Sequence, residues 1–168
     1  VGSEMCIRDR AAGAESLVGG QADDLAAERG WVPDLSNKTP EQQVDWMERI
    51  HRRKTGRLFL ASLDLGCLAA GGSAQCRHDL EAFGDSFGLA FQIADDLLDA
   101  EGSESSMGKR VGKDAERGKI TFPTVLGKEP SRKRASTLAE QATAAISGYG
   151  DAAESLCALA RWIVSRQT

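Results

Sequence analysis

Three aspartates stand close together in Phe91-Gln92-Ile93-Ala94-Asp95-Asp96-Leu97-Leu98-Asp99. On a helix turning about 100° per residue, Gln92, Asp95, Asp96 and Asp99 fall within about a third of the circumference and form one polar stripe. Phe83, Phe87, Ala90, Ala94, Leu97 and Leu98 gather on the opposite side, the expected core face. Carboxylates at i and i+4 suit magnesium, a hard octahedral ion that takes one or two of them, keeps several waters and accepts phosphate oxygens. Charge alone favours a plainer reading, because an exposed like-charge pair at this spacing costs only about 0.2–0.5 kcal/mol and a solvated acidic face is tolerated. Gly84 and Gly88 continue the stripe toward the N-terminus, each at a cost of about 1 kcal/mol relative to Ala in a helix. They leave room for either a ligand or the backbone of a neighbouring helix.

A diphosphate held through magnesium also needs point charges, a task suited to lysine. Lys54-Thr55-Gly56 lies midway in an expected helix, where Gly56 would loosen the ladder and turn a lysine and a hydroxyl toward one ligand. In isolation, a surface lysine beside a kink explains the same residues. Gly108-Lys109, Lys113-Asp114 and Gly118-Lys119 make a basic, glycine-rich segment soon after the carboxylate helix. It does not match a P-loop: the spacing from Gly102 to Gly108-Lys109 is one residue too long, Arg110 replaces Ser or Thr, and no strand precedes it. Alone it reads as a solvated loop.

The elements that must position these residues are helices. Eighteen glycines and four prolines punctuate stretches rich in Ala, Leu, Arg and Glu, and strand-type alternation is absent, so the fold class is all-α. Thr39-Pro40-Glu41-Gln42 orders an N-cap, an N1 proline and a capping-box glutamine, which starts a helix at Pro40 that runs to about residue 70. Other helices are expected over 11–28, 74–100, 131–147 and 151–166. Residues 31–38 read as a loop, and 102–106 as a polar loop leading into an irregular excursion to Lys119.

The bulk numbers bound the rest. A length of 168 residues with 41% hydrophobic content suits one domain or part of one. The net charge of -4 comes from 25 acidic against 21 basic residues, without a basic stripe interleaved with aromatics, which argues against nucleic acid. No membrane span or secretory signal is evident, and a soluble, cytoplasmic protein is expected. Cys6, Cys67, Cys76 and Cys157 lack CxxC spacing and read as reduced, mostly buried thiols. Residues 1–10, neither capped nor periodic, read as a non-native leader ahead of a domain over 11–168.

Taken in order, these segments resemble the polyprenyl synthetases, the farnesyl and geranyl diphosphate synthase family. Gly20-Gln21-Ala22-Asp23-Asp24-Leu25 resembles its GQxxDL segment, and Lys54-Thr55-Gly56 its KTG. Phe91-Gln92 with Asp95-Asp96-Leu97-Leu98-Asp99 resembles its FQxxDDxLD, and Gly108-Lys109 through Asp114 to Gly118-Lys119 its GK-D-GK loop. The segments Glu48-Arg49-Ile50-His51-Arg52-Arg53 and Trp162-Ile163-Val164-Ser165-Arg166 look most like bacterial short-chain members.

The resemblance implies the C-terminal part of the isoprenoid synthase helical bundle and a magnesium-dependent prenyltransferase. Asp95 is implied to ligate Mg2+, Asp99 to act directly or through water, and Asp96 to orient a lysine or a metal-bound water. Lys54, Lys109 and Lys119 are implied to hold the allylic diphosphate, with Gln21 and Asp24 lining the same cavity. Gln92 and Thr55 are implied to lie near the reacting carbons, where a dipole favours a passing carbocation and bulk water would quench it. The implied reaction ionises an allylic diphosphate, adds isopentenyl diphosphate and releases a proton to the departing diphosphate.

The family carries a further aspartate-rich motif, DDxxD or DDxxxxD, with arginines that bind both diphosphates. The only other paired acids here, Asp23-Asp24, belong to the GQxxDL segment. Close to half of a full-length synthase is therefore expected to lie outside this sequence, leaving this chain inactive alone and with apolar faces exposed. The full-length protein is implied to be a homodimer making a short-chain product. Two other readings remain: a terpene cyclase relative, disfavoured because cyclases carry an NSE-type second motif, and a non-catalytic partner subunit, for which Asp95 and Asp99 would have no use.

Overall fold

The computed structural model describes residues 2–31, 35–105 and 120–166, which are helical with no strand among them. In chain order the helices are α1 (Gly2–Ala12), α2 (Leu17–Glu28), α3 (Pro40–His51), α4 (Arg57–Ala69), α5 (Ala74–Ser105), α6 (Phe122–Leu126), α7 (Lys128–Ala145) and α8 (Glu154–Ser165). A π turn, Arg52–Gly56, joins α3 to α4, and 3-10 turns occupy Leu35–Asn37 and Ser147–Ala153. No helix among the described residues is long and apolar enough to cross a membrane.

Helix α3 starts as its sequence dictates. The Gln42 amide donates to Thr39 Oγ1 at 3.3 Å, the Thr39 amide donates to Gln42 Oε1 at 3.1 Å, and Pro40 takes the first helical position. Such a cap is worth about 0.5–2 kcal/mol.

The 32-residue helix α5 is the centre of the bundle. Phe83, Phe87 and Ala90 bury one face against Ala142 of α7 and Cys157, Ala160 and Ile163 of α8. Leu89, Ile93 and Leu97 bury a second face against Val44 and Met47 of α3, Phe122 of α6 and Ala135 of α7. Each large side chain removed from water in this way contributes about 1.5–3 kcal/mol. The core face is thus wider than periodicity indicates: Leu89 and Ile93 belong to it, and Leu98 is only half-buried.

Other boundaries differ for identifiable reasons. The helix expected over 11–28 breaks between Ala12 and Leu17, at Gly13, where a helix interior is costly. Helix α5 continues through the stretch expected as a loop after residue 100, with Glu101 ion-paired to Arg132 of α7. Helix α7 begins at Lys128, before its expected start at 131, because Pro130 falls in the first turn, where a missing N–H costs little. The last helix begins at Glu154 after a 3-10 turn in which Gly150 takes φ 55°. The segment read as a leader forms α1, which packs on α4 although its apolar residues gather on no face. Cys67 and Cys157 are buried, Cys76 is half-buried and Cys6 is exposed, all as free thiols.

Candidate functional site

The π turn carries Lys54 and Thr55 and is held between two glycines of other helices. On the α2 side, a Cβ on Gly20 would lie 2.5 Å from the Lys54 amide nitrogen and 2.8 Å from its Cα. On the α5 side, a Cβ on Gly88 would lie 3.3 Å from Gly56 Cα. Gly88 of the α5 stripe therefore admits a neighbouring backbone, whereas Gly84 seats only the side chains of Leu60 and Leu63 of α4. A π turn inserts one residue into the helical register and re-aims the side chains it carries.

Close packing at Gly20 brings the residue one turn later over the lysine. Lys54 Nζ donates to Asp24 Oδ2 at 2.6 Å, with the aspartate side chain 16% and the lysine side chain 30% exposed. The preceding pair matches it: Arg53 bonds Asp23, and its Nε donates to the Glu15 carbonyl at 3.2 Å. Two adjacent acids on α2 thus meet two adjacent bases of the turn.

Lys54 and Asp24 open onto a cleft whose other polar walls are His51, Gln92 and Asp96 and whose apolar walls are Trp46, Met47, Ile50 and Ile120. Gln21 and Thr55 are half-buried next to this cleft without lining it. Gln21 sits about 100° round α2 from Gly20, the residue in contact with the turn. Lys109 and Lys119 lie outside the described residues.

The aspartate stripe divides. Asp95 and Asp99 are exposed, whereas Asp96 is half-buried and its Oδ2 accepts a hydrogen bond from the Phe122 amide at 3.1 Å. Asp95 Oδ1 accepts from Arg166 Nη2 at 3.3 Å. The Arg166 guanidinium lies over the rings of Phe91 and Trp162, at 5.0 and 5.8 Å from their centroids. Among the described residues no three His, Cys, Asp or Glu side chains form a metal cage. Magnesium does not need one: Asp95 and Asp99 at i,i+4 on an open edge leave the remaining positions to water and phosphate, so the donors present fit that ion.

His51, Trp46 and Arg166 are the neighbours that sequence reasoning left without a role. His51 had a local signal, since it stands three residues before Lys54 on a shared helix face. Arg166 had none, being 71 residues from Asp95.

A helical bundle that sets a lysine-bearing π turn against an aspartate-bearing central helix places the chain among prenyl diphosphate synthases in fold. It superposes on the FPP/GFPP synthase of Zymomonas mobilis with a TM-score of 0.78 and 37% identity, covering 96% of this chain and 50% of that one. A polyprenyl synthase of Caulobacter crescentus CB15, solved with calcium and isoprenyl diphosphate, gives 0.78 at 25% identity, covering 99% of this chain and 60% of that one. In sequence the chain is 39% identical to farnesyl diphosphate synthase of Escherichia coli (strain K12), over 93% of its own length and 50% of the relative's. It is 38% identical to geranylgeranyl pyrophosphate synthase 6, mitochondrial, of Arabidopsis thaliana, over 94% and 46%. The polyprenyl synthetase family model matches residues 11–156. The chain belongs to the polyprenyl synthetase family, and it spans about half the length of the curated relatives it matches.

Proposed function

We propose that this chain is the C-terminal part of a trans-prenyl diphosphate synthase that condenses isopentenyl diphosphate with an allylic diphosphate. The observation that carries this reading is the seating of Lys54. Gly20 and Gly88 fix its turn so that the ammonium shares a cleft with Gln92 and Asp96, beside the Asp95–Asp99 edge.

In this reading Lys54 exchanges Asp24 for the oxygens of the allylic diphosphate, and Lys109 and Lys119 add charge to the same group. Asp95 and Asp99 hold Mg2+, which when bound draws electron density from the leaving diphosphate. Breaking the allylic C–O bond leaves a carbocation, toward which Gln92 on the cleft wall directs its dipole, with Thr55 on the turn that carries Lys54. Trp46, Met47 and Ile50 keep bulk water from it. A C–C bond to isopentenyl diphosphate then forms, and the departing diphosphate takes the proton. The calcium and isoprenyl diphosphate with which the C. crescentus relative was solved support the ligand class, and the farnesyl diphosphate in the name of the E. coli one supports the chain length. The whole protein works as a cytoplasmic homodimer, and this chain alone does not turn over, because a second set of carboxylates is absent from its sequence.

The test replaces the matching half of the E. coli farnesyl diphosphate synthase with this chain and analyses the products from isopentenyl and dimethylallyl diphosphates. Linear prenyl diphosphates support the reading. A chimera that is folded by circular dichroism yet yields cyclic hydrocarbon, or nothing, contradicts it.

A further inference from the structure

We infer that Arg53 is a positioning residue for Lys54: it anchors the π turn to α2, so that the lysine can leave Asp24 for a diphosphate while the turn keeps its aim. The inference rests on the proposed function for the ligand that Lys54 takes; the anchor itself comes from the packing of α2 on the turn.

Consecutive residues of the turn meet consecutive acids of α2, but the two pairs are built differently. Lys54 Nζ donates to Asp24 Oδ2 at 2.6 Å, and both residues line the cleft. Arg53 and Asp23 stand outside it. The Arg53 guanidinium spreads over three acceptors: Nη1 bonds the Asp23 carboxylate, Nε donates to the Glu15 carbonyl at 3.2 Å, and Nη2 donates to the Ala14 carbonyl at 3.3 Å. Those two carbonyls belong to the break between α1 and α2. One side chain therefore ties the turn both to α2 and to the corner that precedes it.

Gly19 gives the guanidinium its place. A Cβ there would collide with both Arg53 Nη2 and the Ala14 carbonyl oxygen, so the arginine lies in a slot across α2 that any side chain would close. A half-exposed ion pair contributes little stability by itself. A planar fork with acceptors on three sides instead fixes an orientation, whereas an ammonium on a flexible stem is a point charge that changes partners readily. The residue types thus match two roles. When Lys54 turns from Asp24 to a phosphate, the turn gives up one of these two ionic ties to α2, and Arg53 keeps the other.

Isothermal titration of the chain with inorganic pyrophosphate in magnesium chloride tests the anchor. Arg53→Ala should weaken binding at least tenfold in wild type and less than twofold in a Lys54→Ala background, because an effect exerted through Lys54 vanishes with it. Asp23→Ala should weaken binding at least fivefold, since it leaves Arg53 charged but without its carboxylate. Equal factors for Arg53→Ala in the two backgrounds would overturn the inference. Tighter binding by Asp23→Ala would also overturn it, as the mark of a guanidinium that attracts the diphosphate directly. If Arg53→Ala does not fold, Asp23→Ala measured in the same two backgrounds decides. If wild type binds no magnesium pyrophosphate, the proposed function fails, and ligand-free protein carrying isotope-labelled methyl groups on its lysines decides the anchor by NMR. The Lys54 resonance, identified by its absence in Lys54→Ala, should then shift in Arg53→Ala, and an unshifted resonance would overturn the inference.

Discussion

Gly20 and Lys54 approach so closely that a Cβ on the glycine would lie 2.5 Å from the lysine's amide nitrogen. The contact is with backbone, which cannot rotate out of the way. Gly20→Ala therefore pushes α2 away from the π turn, and about 1–3 kcal/mol of overpacking outweighs the gain of about 1 kcal/mol in helix propensity. Urea unfolding should show a net loss of stability. Gly84→Ala is the control, since its Cβ would meet only the side-chain tips of Leu60 and Leu63, at 2.8 Å, and these can turn. It should be close to neutral, and equal losses in the two variants would refute the clamp.

Lys54 is held in the cleft by Asp24 at 2.6 Å. A charged hydrogen bond contributes about 1.5–3 kcal/mol, so Lys54→Ala should weaken magnesium-dependent binding of an allylic diphosphate by tenfold or more. Asp24→Asn should not weaken it, because the substitution frees the ammonium for phosphate. Titration of both variants with dimethylallyl diphosphate checks the pair. Equal weakening in both would mean that Asp24 contacts the ligand itself.

Tyr149 Oη donates to Asp79 Oδ2 at 2.7 Å and Gln75 Nε2 donates to Oδ1 at 2.8 Å, tying the 3-10 turn before α8 to the start of α5. These bonds, that from Tyr149 first, hold the Asp79 carboxyl below the usual carboxylate range. A carboxylate depressed in the folded state stabilises above its unfolded pKa, and the contribution is lost as pH falls through the folded value. Tyr149→Phe should therefore lower the melting temperature at neutral pH, with the difference shrinking as acid takes the solution below the ordinary carboxylate pKa. A difference that stays constant as the pH falls well below that value would contradict the assignment.

Local chemistry made part of this molecule legible. The capping box at Thr39, the amphipathic course of α5 and the loosened helix at Lys54-Thr55-Gly56 all follow from neighbours within one or two turns. What escaped depends on partners far along the chain. One helical period marks one apolar stripe, so the second face of α5, at Leu89 and Ile93, appears only when α3, α6 and α7 close over it. The end of α5 depends on Glu101 meeting Arg132. Asp95 and Asp96 are indistinguishable as residue types, and the Arg166 guanidinium and the Phe122 amide separate them.

Lys54 and the Asp95–Asp99 edge are proposed to bind a diphosphate together through magnesium. Isothermal titration of the chain with dimethylallyl diphosphate, in magnesium chloride and again in EDTA, tests it most directly. Binding should be saturable in magnesium, disappear in EDTA, and fall at least tenfold in Lys54→Ala and in Asp95→Asn. Binding that persists in EDTA, or that survives both substitutions unchanged, would contradict it.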